Sequence, residues 1–141
     1  MIHLRKFNES LNKEELQDFC DTYLAYLLDE GYSIEASEIG FDEYLLVLRN
    51  ENRPTNVPID SPELLFTWEG VKDQFIPFLH MLSKQYTITR SIKFWVLNKK
   101  SDIYIHRGTE RPFIDYDYNL PMILEDRVSL EEVVQINIYL K

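Results

Sequence analysis

One pattern occurs twice in this chain: an amphipathic helical stretch running into two β-type segments. Phe19, Tyr23, Leu24, Leu27 and Leu28 precede Tyr32-Ser33-Ile34 and then Tyr44-Leu45-Leu46-Val47-Leu48. Phe75, Phe78, Leu79, Met81 and Leu82 precede Tyr86-Thr87-Ile88 and then Phe94-Trp95-Val96-Leu97. Apolar residues three and four apart form a stripe along one side of a helix, and that stripe has to be buried. Laying both stripes on one sheet is the simplest way to bury them. The expected fold is therefore α+β, with two helices on one face of a mostly antiparallel sheet of about five strands. Two αββ units are the finer expectation.

The rest of the chain fits a single domain spanning residues 1–141. That length can bury one core, and a hydrophobic fraction of 45% agrees with it. Asn12, three residues before Glu15, resembles a capping box, and Gly31 suits the residue just past the helix. Tyr32, Ile34 and Ala36 alternate with polar residues as a half-buried strand does. Residues 49–62 form a polar connector with three prolines. The second helix is expected over Glu69–Lys84, with Pro77 as a kink or break. Ile92–Leu97 reads as a strand, the polar stretch 98–102 as a turn, and Ile103-Tyr104-Ile105 as the returning strand. Residues 107–121 read as loop, Ser129 to Glu132 as a short helical turn, and 133–140 as a terminal strand.

Charge is distributed unevenly. The chain carries −9 overall, yet residues 9–51 hold twelve acids against two bases. Residues 84–111 hold seven bases against Asp102 and Glu110. Such polarity points to a charged partner or to head-to-tail self-association, although a solvated surface of mixed sign is the ordinary reading.

Catalytic patterns are missing from the sequence. His3, His80 and His106 are not at metal-ligand spacing, and there is no Gly-rich phosphate loop or nucleophile elbow. Cys20 is the sole cysteine; it falls on the apolar side of the first helix, where a thiol acts as a small hydrophobe. Asp115 and Asp117 would share one side of an extended segment and could contact a hard cation, but no third ligand is evident. The expectation is a non-enzymatic protein without cofactor or metal. No stretch has the ~20 apolar residues of a membrane helix, and no secretory signal is visible, so a cytoplasmic location is expected.

Two binding surfaces can be named. Glu14, Asp18, Asp21, Asp29, Glu35, Glu38, Asp42 and Glu43 would form an acidic surface for a protein partner, with residues 49–62 beside it. Arg90, Lys93, Lys99, Lys100, Tyr104 and Arg107 would form a basic, aromatic-bearing strand region able to hold nucleic acid. Net acidity disfavours the second reading, because polyanion binding rests on phosphate neutralisation. A homo-oligomer is a further expectation.

The opening Leu4-Arg5-Lys6-Phe7-Asn8-Glu9-Ser10 resembles the start of small accessory proteins of tailed bacteriophages. Trp68 to Leu82 and Ile136 to Lys141 are similar in flavour. About a third of the chain is covered, and no catalytic motif is included. The resemblance implies a small phage or virion-associated protein that acts in a bacterial host. It implies no functional residues.

Overall fold

The computed structural model describes residues 13–50, 65–97 and 113–141. Among these lie four helices and five strands, in the order α1 (Lys13–Tyr23), α2 (Ala25–Asp29), β1 (Tyr32–Gly40), β2 (Glu43–Asn50), α3 (Trp68–Gln85), β3 (Ile92–Leu97), β4 (Phe113–Tyr118), α4 (Leu120–Leu124) and β5 (Val133–Leu140). The strands form one sheet ordered β1-β2-β5-β3-β4, antiparallel at every pairing. The α+β architecture read from the sequence is the one observed.

Alternation along the strands decides which face is core. Ile34 and Ala36 of β1, Tyr44, Leu46 and Leu48 of β2, Ile92 and Phe94 of β3, and Ile136, Ile138 and Leu140 of β5 are buried in one apolar cluster. Leu16 and Cys20 of α1, Leu27 of α2, six residues of α3 and Ile123 of α4 enter the same cluster. All four helices therefore cover one face of the sheet. A seam of aromatic rings ties the layers together. Phe19 of α1 meets Phe78 of α3 with centroids 6.0 Å apart, and Trp68 of α3 meets Phe94 of β3 edge-on at 5.7 Å. Phe94 in turn meets Tyr118 of β4 at 5.4 Å. Edge-on rings at such distances add attraction beyond their buried area.

Helix ends follow local chemistry. Thr67 caps α3 by accepting the Gly70 N–H at 3.1 Å, and α3 continues as one helix through Pro77. Gly31 lies past the end of α2 at φ 98°, where a Cβ is unfavourable, and its N–H reaches the Leu28 carbonyl at 3.1 Å. The single first helix expected from the sequence is interrupted at Leu24, whose ψ of 21° departs from helical geometry. Leu24 still donates to Cys20 and accepts from Leu28, so the helical stripe stays in phase. The capping-box residue Asn12 lies outside the described residues.

Three expectations are corrected. Residues 113–118, read as loop, form β4, in which Ile114, Tyr116 and Tyr118 alternate with Asp115 and Asp117. Neither Ser129 nor Glu132 is helical; a short helix lies earlier instead, at Leu120–Leu124, with Asn119 as its cap. The second αββ unit lacks a hairpin: Ile88 bridges to Leu140 and β3 pairs with the same strand β5, so the two segments lie in line along it. β4 therefore flanks β3, and Ile103-Tyr104-Ile105 lies outside the described residues.

Candidate interaction surface

The acidic residues are set around β1, an outer strand of the sheet. The outer backbone of such a strand needs partners, and here a side chain supplies them. Gln17 of α1 donates its amide to the Ile34 carbonyl at 2.8 Å and accepts the Ala36 N–H at 2.8 Å. It thus imitates a neighbouring strand at two of the groups on that edge. Its amide also reaches Asp21 Oδ1 at 3.0 Å. Glu14, Asp18 and Asp21 follow the exposed side of α1, and Asp29 ends α2.

The hairpin β1–β2 carries the remaining acids. It turns through Phe41 and Asp42, and Asp42 has φ 59°. Aspartate tolerates that left-handed conformation better than most residues. The turn leaves Phe41 at the apex, 94% exposed, with Ile39 at 42% beside it. Glu38, Asp42 and Glu43 flank the exposed ring in sequence. Tyr44, buried at the base of the turn, has its phenol pushed above the ordinary value by burial first and then by the charges of Glu38 and Asp42. On α1, burial and then Asp21 push the Cys20 thiol up to about 12, so Cys20 is an inert core residue at neutral pH. Further exposed aromatics, Tyr23 and Tyr26, lie at the α1–α2 junction.

The predicted acids do not behave alike. Glu35 points to the helix-free face and comes within 4.0 Å of Arg49. Glu43 meets Arg90 at 3.5 Å. Asp18, Asp29, Glu38 and Asp42 have no ion pair or hydrogen bond through their side chains among the described residues. Asp18 and Asp29 lie on the helices with the exposed Tyr23 and Tyr26, and Glu38 and Asp42 lie at the hairpin turn with Phe41. Phe41 was not singled out from the sequence; its only signal was a large apolar residue in a short turn between acids.

The basic region looks different from its sequence reading. Lys93 meets Asp117 across the β3–β4 pair at 3.0 Å, and the Arg90 guanidinium lies 4.5 Å from the Tyr139 ring centroid. Both cations are thus matched by carboxylates. Lys99, Lys100, Tyr104 and Arg107 lie outside the described residues, as does most of the 49–62 connector. Asp115 and Asp117 do share a face, opposite Trp95 and Lys93. Among the described residues no group of three His, Cys, Asp or Glu side chains could hold a metal ion. His80 is an exposed residue of α3.

The helix-free face carries a mixed polar row on its central strand. Gln135 and Asn137 of β5 are only 7% and 4% exposed, and the Gln135 amide donates to Asn137 Oδ1 at 2.8 Å. Their register neighbours are Arg49 and Trp95 for Gln135, Val47 and Lys93 for Asn137. Paired in this way, the amides fix strand position at modest cost.

Among the described residues no helix is long and apolar enough to cross a membrane. Compared with family models, curated proteins and solved structures, the chain matches none.

Proposed function

We propose that the protein is a non-enzymatic binding module that docks on a basic protein surface through the β1–β2 hairpin and the acidic side of α1. The observation that carries this reading is Phe41, 94% exposed on a turn whose neighbours are carboxylates. Burying one Phe side chain is worth about 1.5–3 kcal/mol, and that gain is realised only on docking. Aromatic anchors inside a charged surround are the usual make-up of an interface hot spot. The carboxylates would speed encounter and select a basic partner. On the phage resemblance, that partner is a bacterial host or phage protein, and the module acts as an inhibitor of a host factor or of host defence, or as a virion component.

The test compares wild-type protein with Phe41→Ser, each immobilised and exposed to bacterial lysate at micromolar concentration in low and high salt. A partner retained by the wild type, lost with Phe41→Ser and weakened by salt supports the reading. Equal recovery on both, or no partner and no self-association, overturns it.

A further inference from the structure

At the far side of the sheet from β1, a short stretch of backbone is left without an outer neighbour. Thr87 donates to the Lys141 carbonyl at 2.8 Å and accepts from the Lys141 N–H at 2.9 Å, and Thr89 donates to the Tyr139 carbonyl at 3.0 Å. Between them, Ile88 pairs with Leu140 without hydrogen bonds of its own. In an antiparallel ladder such a residue turns its N–H and C=O to the other side. That side is the lane in which β4 would continue. β4 stops pairing with β3 at Tyr118, opposite Ile92, and the chain swings away where Asn119 caps α4.

A groove of about 550 Å³ occupies this lane. It runs between the segment 87–91 and Asn119–Leu120, and Ser83 and Tyr86 close its α3 end. Five residues of extended partner chain would span about 16 Å. None of the nine lining residues is Asp or Glu, although the chain contains 24 of them, and Arg90 is among the nine.

We propose that this groove binds an extended segment of a partner protein as an added short strand, in line with β4. The partner residue opposite Ile88 would exchange both backbone hydrogen bonds with it. Its side chain would fall on the helix side, beside Ile88, Tyr86 and Leu120, so an apolar residue is favoured there. The flanking side chains would fall on the side of Thr87 and Thr89, which suits hydroxyl residues. Arg90 is already paired with Glu43 and lies over the Tyr139 ring, so the ends of the segment carry no charge requirement. A second copy of the chain is the less favoured occupant, because a net charge of −9 opposes self-association. Strand addition of this kind draws affinity from the main chain and selectivity from alternate side chains. The proposal rests on the Ile88 backbone and not on the acidic residues, although Arg90 beside it pairs with Glu43 of the acidic hairpin.

The test uses ¹⁵N-labelled full-length protein and the peptide acetyl-Ser-Thr-Val-Thr-Ser-amide. The expected result is that the amide signals of Ile88, Arg90 and Leu120 shift on titration. N-methylating the central Val should weaken binding at least tenfold. The change is made in the peptide, so the protein fold stays constant. Absence of shifts at millimolar peptide, shifts confined to other residues, or indifference to N-methylation would each overturn the proposal. The same amides shifting on dilution of the protein alone would assign the lane to a second copy and overturn it as well.

Discussion

The outer edge of β1 and the segment 87–91 meet one problem in opposite ways. Both leave strand backbone groups facing away from the sheet. At β1 the Gln17 amide satisfies Ile34 and Ala36 from within the chain. At Ile88 the backbone faces a groove instead. A covered edge can bind only through side chains, so the acids and Phe41 around β1 suit docking of a folded surface. An open edge binds through its main chain, so it suits an extended peptide. The two ends of one sheet are thereby fitted to different kinds of partner.

The most direct way to break this contrast is to uncover β1. Gln17→Ala removes a donor and an acceptor at once and leaves the Ala36 N–H and Ile34 carbonyl in a partly buried place. A loss of about 1–3 kcal/mol in urea unfolding is expected. The variant should also self-associate more readily, as uncovered strand edges do, when followed by analytical ultracentrifugation. An unchanged unfolding midpoint would mean that water replaces the amide at no cost, and the two edges would then be equivalent.

A second change reaches the wall of the groove. Asp126 follows α4 at φ 56°, where its N–H bonds the Ile123 carbonyl and the Arg127 N–H bonds Met122, the double bond that often ends a helix on glycine. Aspartate stands there because its side chain is used. It accepts the indole N–H of the buried Trp68 and the Lys72 ammonium, both at 2.8 Å, and so holds α4 against α3. The Lys72 hydrogen bond, then that of Trp68, holds the Asp126 carboxyl below its ordinary 3.8. The same bond, followed by that to Glu69, raises Lys72 from 10.5 to about 12. A carboxyl depressed in the folded state stabilises above its unfolded pKa and loses that contribution as pH falls through the folded one. A raised lysine stabilises below 10.5 and loses its contribution as pH rises through about 12. Asp126→Asn should therefore lower the unfolding midpoint between these limits and flatten its fall below pH 4 and above pH 10.5. A wild-type slope retained in the variant would show that the pair does not anchor α4.

A smaller effect is expected at Thr89, beside the open lane. Its Oγ1 is shut off from solvent and has no hydrogen-bond partner among the described residues. Thr89→Val keeps the branched shape and removes the unmet hydroxyl, so stability should rise by about 1 kcal/mol. A fall instead would reveal a hydrogen bond made by that hydroxyl in solution and would sharpen the account of the groove's floor.

These features were unevenly visible in the sequence. The helical stripes, the terminal strand and Gly31 follow from periodicity and backbone preference, which act locally. β4 was hidden because Asp115 and Asp117 are poor strand formers and prolines flank the stretch. Their value lies in position: aspartates on an outer strand discourage pairing with other chains. The central place of β5, between β2 and β3, depends on contacts far apart in sequence, so no local signal reveals it. The groove beside Ile88 exists only because β4 ends where it does. The acids around β1 were legible as a composition, but not that Glu35 and Glu43 face arginines while Asp42 bends the turn beneath Phe41.

The smallest stability effect carries the largest consequence for binding. Phe41 touches little of the fold, so Phe41→Ser should leave the unfolding free energy within about 0.5 kcal/mol of wild type. In the same variant, binding of a partner captured by the wild-type protein should fall at least tenfold. That is less than the loss of a buried Phe anchor can produce, since each 1.4 kcal/mol is a factor of ten. Peptide binding in the groove should not change, because Phe41 does not line the groove and the Glu43–Arg90 pair is left in place. Loss of both activities together would show that the two ends of the sheet act as one surface. Loss of stability would show that Phe41 packs against the fold, leaving the acidic hairpin without its anchor.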